Sequence, residues 1–184
     1  MNKLEDIDKE EHREYNTISE YITTNKNYQY NEITRILRNN CFVSVVSLLE
    51  AHFRMIVDCL PNKPALLVKE LSGTELEKPY IYLTKILGYN MQSLKNDHCH
   101  LIDYYSLRNR LVHHLGYLDV DTTKRVNEQK GIYKFVKSLS HIDINAENGK
   151  LSITDKSFTI EFCNKAESFL TNCLQLMQEV YKKS

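Results

Sequence analysis

Glycine and proline are scarce in this chain, at five and three of 184 residues. A fold of many short strands and tight turns uses more of both, so helices with short connections are expected. Tryptophan is absent, whereas tyrosine occurs twelve times. Its apolar body and polar tip suit half-buried positions and interfaces. Charge of one sign is also missing, because 24 Lys and Arg balance 24 Asp and Glu. That argues against a general polyanion binder, which is usually basic. Any RNA recognition must then be focused at a local site. The five cysteines, Cys41, Cys59, Cys99, Cys163 and Cys173, contain no CxxC pair. An odd, widely spaced set fits free thiols in a reducing compartment rather than a disulfide framework. Cys41, Cys59, Cys163 and Cys173 fall in apolar helical patterns and are expected to be mostly buried. No apolar run approaches the ~20 residues of a bilayer span, the longest lying near 42–49. The polar, acidic start, Met1-Asn2-Lys3-Leu4-Glu5-Asp6, lacks the apolar core of a signal peptide. The expectation is a cytoplasmic chain with no membrane partner.

What is present is mostly helical periodicity. Residues 8–23 repeat Tyr15, Ile18 and Tyr21-Ile22 at helical spacing, and the polar 25–31 reads as a turn. A long helix is expected over 32–59, with Ile33, Ile36, Leu37, Cys41, Val45, Leu48, Leu49, His52, Met55 and Ile56 in a 3.6-residue period. Leu60-Pro61-Asn62-Lys63-Pro64 stops it. A turn or two of helix is expected over 65–71, then a break at Ser72-Gly73-Thr74. Pro79 starts and Gly88 ends a short helix over 80–87. Asn96-Asp97 caps a helix running to about 115, with Gly116 as its stop. Residues 119–130 read as a polar loop and 132–139 as a short helix. The period then changes: 141–144 and 150–154 alternate around Asn148-Gly149, which predicts a hairpin. A final helix is expected over 156–182. The fold class is therefore all-α, one domain over 1–184. It comprises an N-terminal helical extension at 1–26, core helices over 32–116, a small β-hairpin at 141–154 and a C-terminal helix.

The chemistry concentrates at Arg108-Asn109-Arg110-Leu111-Val112-His113. A guanidinium can hold a phosphate, and an imidazole moves protons near neutral pH. On a helix Asn109 and His113 share a face, and Arg110 is three residues before His113 and four before His114. Arg108 stands about 140° round the axis from His113. One helix therefore does not converge them; a second copy brought up by two-fold symmetry completes the set. The motif also ends its helix, where the dipole favours a cationic imidazole.

Arg108-Asn109-Arg110-Leu111-Val112-His113 resembles the R-x4-H ribonuclease motif of the HEPN superfamily (higher eukaryotes and prokaryotes nucleotide-binding), including Asn directly after Arg. Ser47-Leu48-Leu49-Glu50-Ala51-His52 is similar to that family's early helix with its acidic residue. The resemblance covers 32–116 plus the final helix, and is specific at the motif. It implies a HEPN-like bundle, a homodimer with two motif helices at a shared cleft, and metal-independent RNA cleavage by 2′-OH attack. It also implies a toxin or antiphage role and an antitoxin or inhibitory partner. On this chain His113 takes the acid or base role, Arg108 holds the scissile phosphate, and Asn109 orients either. Glu50, Arg110 and His114 are supporting candidates, with Glu50 set to pair with Arg108. No cofactor and no metal are implied. The subfamily whose antitoxin modifies a tyrosine carries it two residues after the histidine. Here that position is Leu115, and the nearest tyrosine is Tyr117, so that control is not expected.

Other readings stand beside this one. The competing class is a non-catalytic HEPN-like module that binds nucleotide, RNA or a partner protein; a purely structural subunit is a third. Glu50 suits an ion pair at a dimer seam as well as a catalytic contact. His52 suits a core or interface position. Asp97-His98-Cys99-His100 invites a metal reading, but helical metal pairs prefer a spacing of four. Tyr28 and Tyr30 could stack bases, or simply enter a helix.

Overall fold

The computed structural model describes residues 3–61, 64, 66–118 and 131–183; the expected loop at 119–130 lies outside them. Among the described residues, five α-helices and one hairpin follow in order: α1 Lys3–Asp58, α2 Glu77–Ile81, α3 Lys95–His113, α4 Gly131–Lys137, β1 Ile142–Ile144, β2 Leu151–Ile153 and α5 Ser157–Lys183. The architecture is mostly helical with one small antiparallel sheet. The chain divides after Leu37 into two compact units.

Helix α1 corrects the expected turn at 25–31. Residues Asn25 to Asn31 stay helical. They are polar but include no Gly or Pro, so nothing interrupts the i to i−4 ladder. In the first unit, Tyr15, Ile18, Ile22, Tyr28, Ile33 and Ile36 are exposed. By length and composition alone, a stretch of α1 within Tyr15–Asp58 reaches the threshold for crossing a membrane. Scattered polar residues such as Glu50 and Arg54 break the apolar run without outweighing the Val, Leu and Ile around them. A core helix passes the same test, and this stretch supplies core residues.

In the second unit, α1 buries Phe42, Val46, Leu49, Phe53 and Val57, spaced to form one stripe. Phe42 joins three helices. Its ring lies 5.1 Å from Phe158 and 5.2 Å from Phe162 on α5, and 6.3 Å from Tyr104 on α3. Phe53 meets Phe169 edge-on at 5.1 Å. Cys41, one residue before Phe42, and Cys59 are exposed, which corrects the expected burial; each sits just off the buried stripe. Cys163 is half-buried and Cys173 fully buried, and all five thiols are free. Burial pushes the Cys173 thiol up to about 12.

Of the helix expected over 65–71, the described residues 66–71 form a 3-10 turn, Val68–Glu70, instead. Pro79 is the third residue of α2, not its starter, still within the turn whose N–H groups lack helical partners. The helix continues as a wider turn over Tyr82–Ile86 and reverses at Gly88 (φ 71°). Helix α3 begins two residues earlier than expected, after a 3-10 turn at Gln92–Leu94, and no side chain caps it. Asp97 lies inside its first turn.

The end of α3 positions the motif. Leu115 (φ 53°) and Gly116 (φ 79°) turn the chain left-handed, while the Gly116 N–H donates to Arg110 O at 3.0 Å. The next residues join the hairpin: Leu118 N–H donates to Gly149 O at 2.9 Å, and Leu151 N–H to Gly116 O at 2.8 Å. The expected hairpin is present, with Ile142 opposite Ile153 and Ile144 opposite Leu151. Ile144, Leu151 and Ile153 face the core. Asp155 then accepts from the Ser157 N–H at 2.8 Å and hydroxyl at 2.6 Å, opening α5. Arg38 of α1 donates to the Thr154 carbonyl beside it.

Candidate active site

Packing of α3 on α1 brings Arg108 to the side of α1 that carries Ser47 and Glu50. One guanidinium nitrogen of Arg108 donates to Asn109 Oδ1 at 2.9 Å, and the other reaches Ser47 Oγ at 3.4 Å. Arg108 Cζ lies 6.0 Å from the centre of the Tyr105 ring. Two acceptors on different helices and one aromatic ring thus fix the plane of the fork. Its buried Nε has no hydrogen-bond partner among the described residues, and neither has the buried Oε1 of Glu50. The pair expected between Arg108 and Glu50 takes the form of neighbouring charges without a direct hydrogen bond.

Desolvation holds the Glu50 carboxyl above the usual carboxylate range; the Arg108 charge works against that shift, and Glu75 adds to it. Ser47, Glu50, Arg54, Asp58 and Glu75 line one open cavity of about 430 Å³, with Ala51 and Met55. The guanidinium does not line this cavity and meets it through Ser47. A fork of fixed orientation suits an oxyanion such as a phosphate diester, whereas the recess beside it is lined by three carboxylates and one arginine.

His113 occupies a different position. It is exposed on the last turn of α3, as His114 is just beyond it. Among the described residues no hydrogen bond or ion pair joins His113 to Arg108. Arg110 is half-buried and carries a further interaction of its own. Within one chain, then, Arg108, Asn109 and Glu50 come together, while His113 and His114 stand on the surface further along the helix. The angular separation read from the sequence persists in three dimensions.

Ser47 and Glu75 escaped sequence reasoning as site residues. Ser47 had a signal, since it lies one helical turn before Glu50 on the same face. Glu75 had none, because only the path of the chain after α1 brings it close. His52 is exposed rather than in the core, and its Nδ1 lies 2.7 Å from Leu48 O. Tyr28 and Tyr30 are exposed on α1. In the Asp97-His98-Cys99-His100 stretch, His98 alone is buried. It stacks on Tyr80 at 4.0 Å between centres, and its Nε2–H donates to Leu76 O at 3.1 Å. Among the described residues no three His, Cys, Asp or Glu side chains gather as metal ligands.

No family model, curated protein or solved structure matches this chain. The functional reading therefore rests on the residues themselves.

Proposed function

We propose that this chain is a metal-independent endoribonuclease of the HEPN type, acting as a homodimer on RNA in the cytoplasm. The observation that carries the reading is the fixed Arg108 fork, held by Asn109 and Ser47 and near the Glu50 charge, on the helix that ends in exposed His113. In this reading Arg108 grips the scissile phosphate and stabilises the charge that develops on it. The RNA 2′-oxygen bonds to phosphorus as its proton passes to an imidazole. The bond to the 5′-oxygen breaks, and that oxygen leaves with a proton. The products are a 2′,3′-cyclic phosphate and a 5′-hydroxyl.

The wide separation of His113 and Arg108 round α3 means that the acid–base group acts across a two-fold, on the phosphate held by the other copy. Asn109 keeps the fork in plane, and Glu50 holds the guanidinium's place. Arg110 and His114 assist at the edge. A destructive activity of this kind suits a toxin or antiphage effector restrained by an antitoxin or other inhibitory partner. The second reading, a non-catalytic module that binds RNA, nucleotide or protein, draws on the same separation: a single chain offers a guanidinium for a phosphate without an imidazole beside it.

The deciding experiment is cleavage of total RNA in the presence of chelator. Wild type is expected to cut, and His113→Ala to cut ~100-fold more slowly, the scale of a lost general acid–base group. Because His113 is exposed, that variant should keep the wild-type melting temperature. RNA binding without turnover in the wild type would establish the second reading instead.

A further inference from the structure

The first unit has a feature that the ribonuclease reading does not use. Its helix carries Tyr15, Ile18, Ile22, Gln29, Ile33 and Ile36. At ~100° per residue these six positions fall within an arc of about 60°. The five apolar ones are 70%, 59%, 47%, 58% and 48% exposed, in that order. Isolated helices gain little stability from propensity alone, and packing of an apolar face supplies most of it. This face finds no cover within its own unit.

The spacing also indicates what covers it. The steps along the stripe are 3, 4, 7, 4 and 3 residues, the same read in either direction. Laid antiparallel against a second copy, the stripe sets Tyr15 against Ile36, Ile18 against Ile33 and Ile22 against Gln29, each pair twice. This is the self-complementarity that a two-fold interface requires. The area is adequate as well. From Tyr15 to Leu37 the helix is about 34 Å long. Two such helices side by side lose on the order of 700 Å² each, close to the ~800 Å² per partner of a stable pair.

We infer that residues 15–36 of α1 form an antiparallel, two-fold docking surface for a second copy of this chain. It holds two copies together independently of Arg108 and His113. The contact does not rest on the ribonuclease reading, and its test reads mass rather than RNA cleavage.

The test is sedimentation equilibrium of the full chain. Wild type is expected to sediment at no less than twice the 21.7 kDa chain mass at ~10 µM, and above that where α3 pairs as well. Ile18→Glu and Ile33→Lys should each weaken association by ~100-fold or more, because each sets an unpaired charge in the seam. An equimolar mixture of the two variants should dimerise again. The new carboxylate of one chain then meets the new ammonium of the other, and the two unchanged isoleucines meet each other. The double variant Ile18→Glu/Ile33→Lys should dimerise with itself, since both crossings of its seam then pair opposite charges. Tyr28→Glu, off the stripe, should remain dimeric. Circular dichroism confirms that each variant keeps its helix content and cooperative melt; should a single variant fail to fold, the double variant still decides. A monomeric wild type at ~100 µM, whether or not it binds neutral phosphatidylcholine vesicles, overturns the inference. So does a wild-type mass that neither single substitution lowers, or a folded double variant whose mass stays at that of the single variants.

Discussion

Replacing Arg108 by lysine separates a phosphate clamp from a structural strut. Lysine keeps the positive charge beside Glu50 but cannot donate to Asn109 and Ser47 from one plane. The bond at 2.9 Å to Asn109 is regular, whereas that at 3.4 Å to Ser47 is long. A hydrogen bond to a charged group contributes ~1.5–3 kcal/mol, and partial exposure of this site puts the loss near 2 kcal/mol. For a chain of this size that lowers Tm by roughly 4–8 °C, leaving Arg108→Lys folded at 25 °C. Loss of an oriented donor to developing charge costs ~10²–10³ in rate. The assay pairs thermal melts with initial rates of RNA cleavage under chelator. The expected result is a small shift in Tm with a rate near or below ~1% of wild type. Cleavage within ~threefold of wild type would refute the clamp, the usual loss being far larger. A fall in Tm beyond ~15 °C, about twice the shift expected from these bonds, would make Arg108 chiefly a strut.

Three further outcomes test the fold around the site. Phe42→Ala removes the ring that joins α1, α3 and α5, and should destabilise the protein by ~3–5 kcal/mol in urea denaturation; a loss under ~1 kcal/mol would contradict the close packing described. His98 is held below its ordinary value by desolvation, against the Leu76 carbonyl and Glu77, so the unfolded chain binds the more protons as pH falls below about 6.5. Its stabilising contribution is complete above that pH and is lost as pH drops through the depressed value. Melts at pH 7.5 and 5.5 should thus differ more in wild type than in His98→Gln, and equal differences would count against the assignment. Cys41, Cys59 and Cys99 should react quickly with a thiol reagent in the native protein, whereas Cys173, buried with its thiol pushed up to about 12, should react only on unfolding; rapid native labelling of Cys173 would show that the core opens.

Local signals made part of this fold legible. Alternation about Asn148-Gly149 marked the hairpin, and Gly116 marked the end of α3, because each rests on chain chemistry within a few residues. Polar composition at 25–31 misled, since polarity signals solvent exposure, and an exposed helix satisfies it as well as a turn does. The extra start of α3 and the wide turn at Tyr82–Ile86 had no sequence signal because tertiary packing decides them. At the site, the wheel angle between Arg108 and His113 was readable from spacing. The approach of Ser47 and Glu75 was not, because it depends on how α1, α3 and the intervening chain pack.

The hairpin reaches further than its three-residue strands suggest. Gly116 and Leu118 clamp it to the departing end of α3 through the bonds to Leu151 and Gly149, only a few residues after His113. Loop 145–149 is consequently tied to the backbone that leaves α3. Inserting or deleting residues there would re-aim the histidine while sparing the guanidinium, which is anchored on α1. Variation in that loop would act on the end of α3 without touching Arg108 itself.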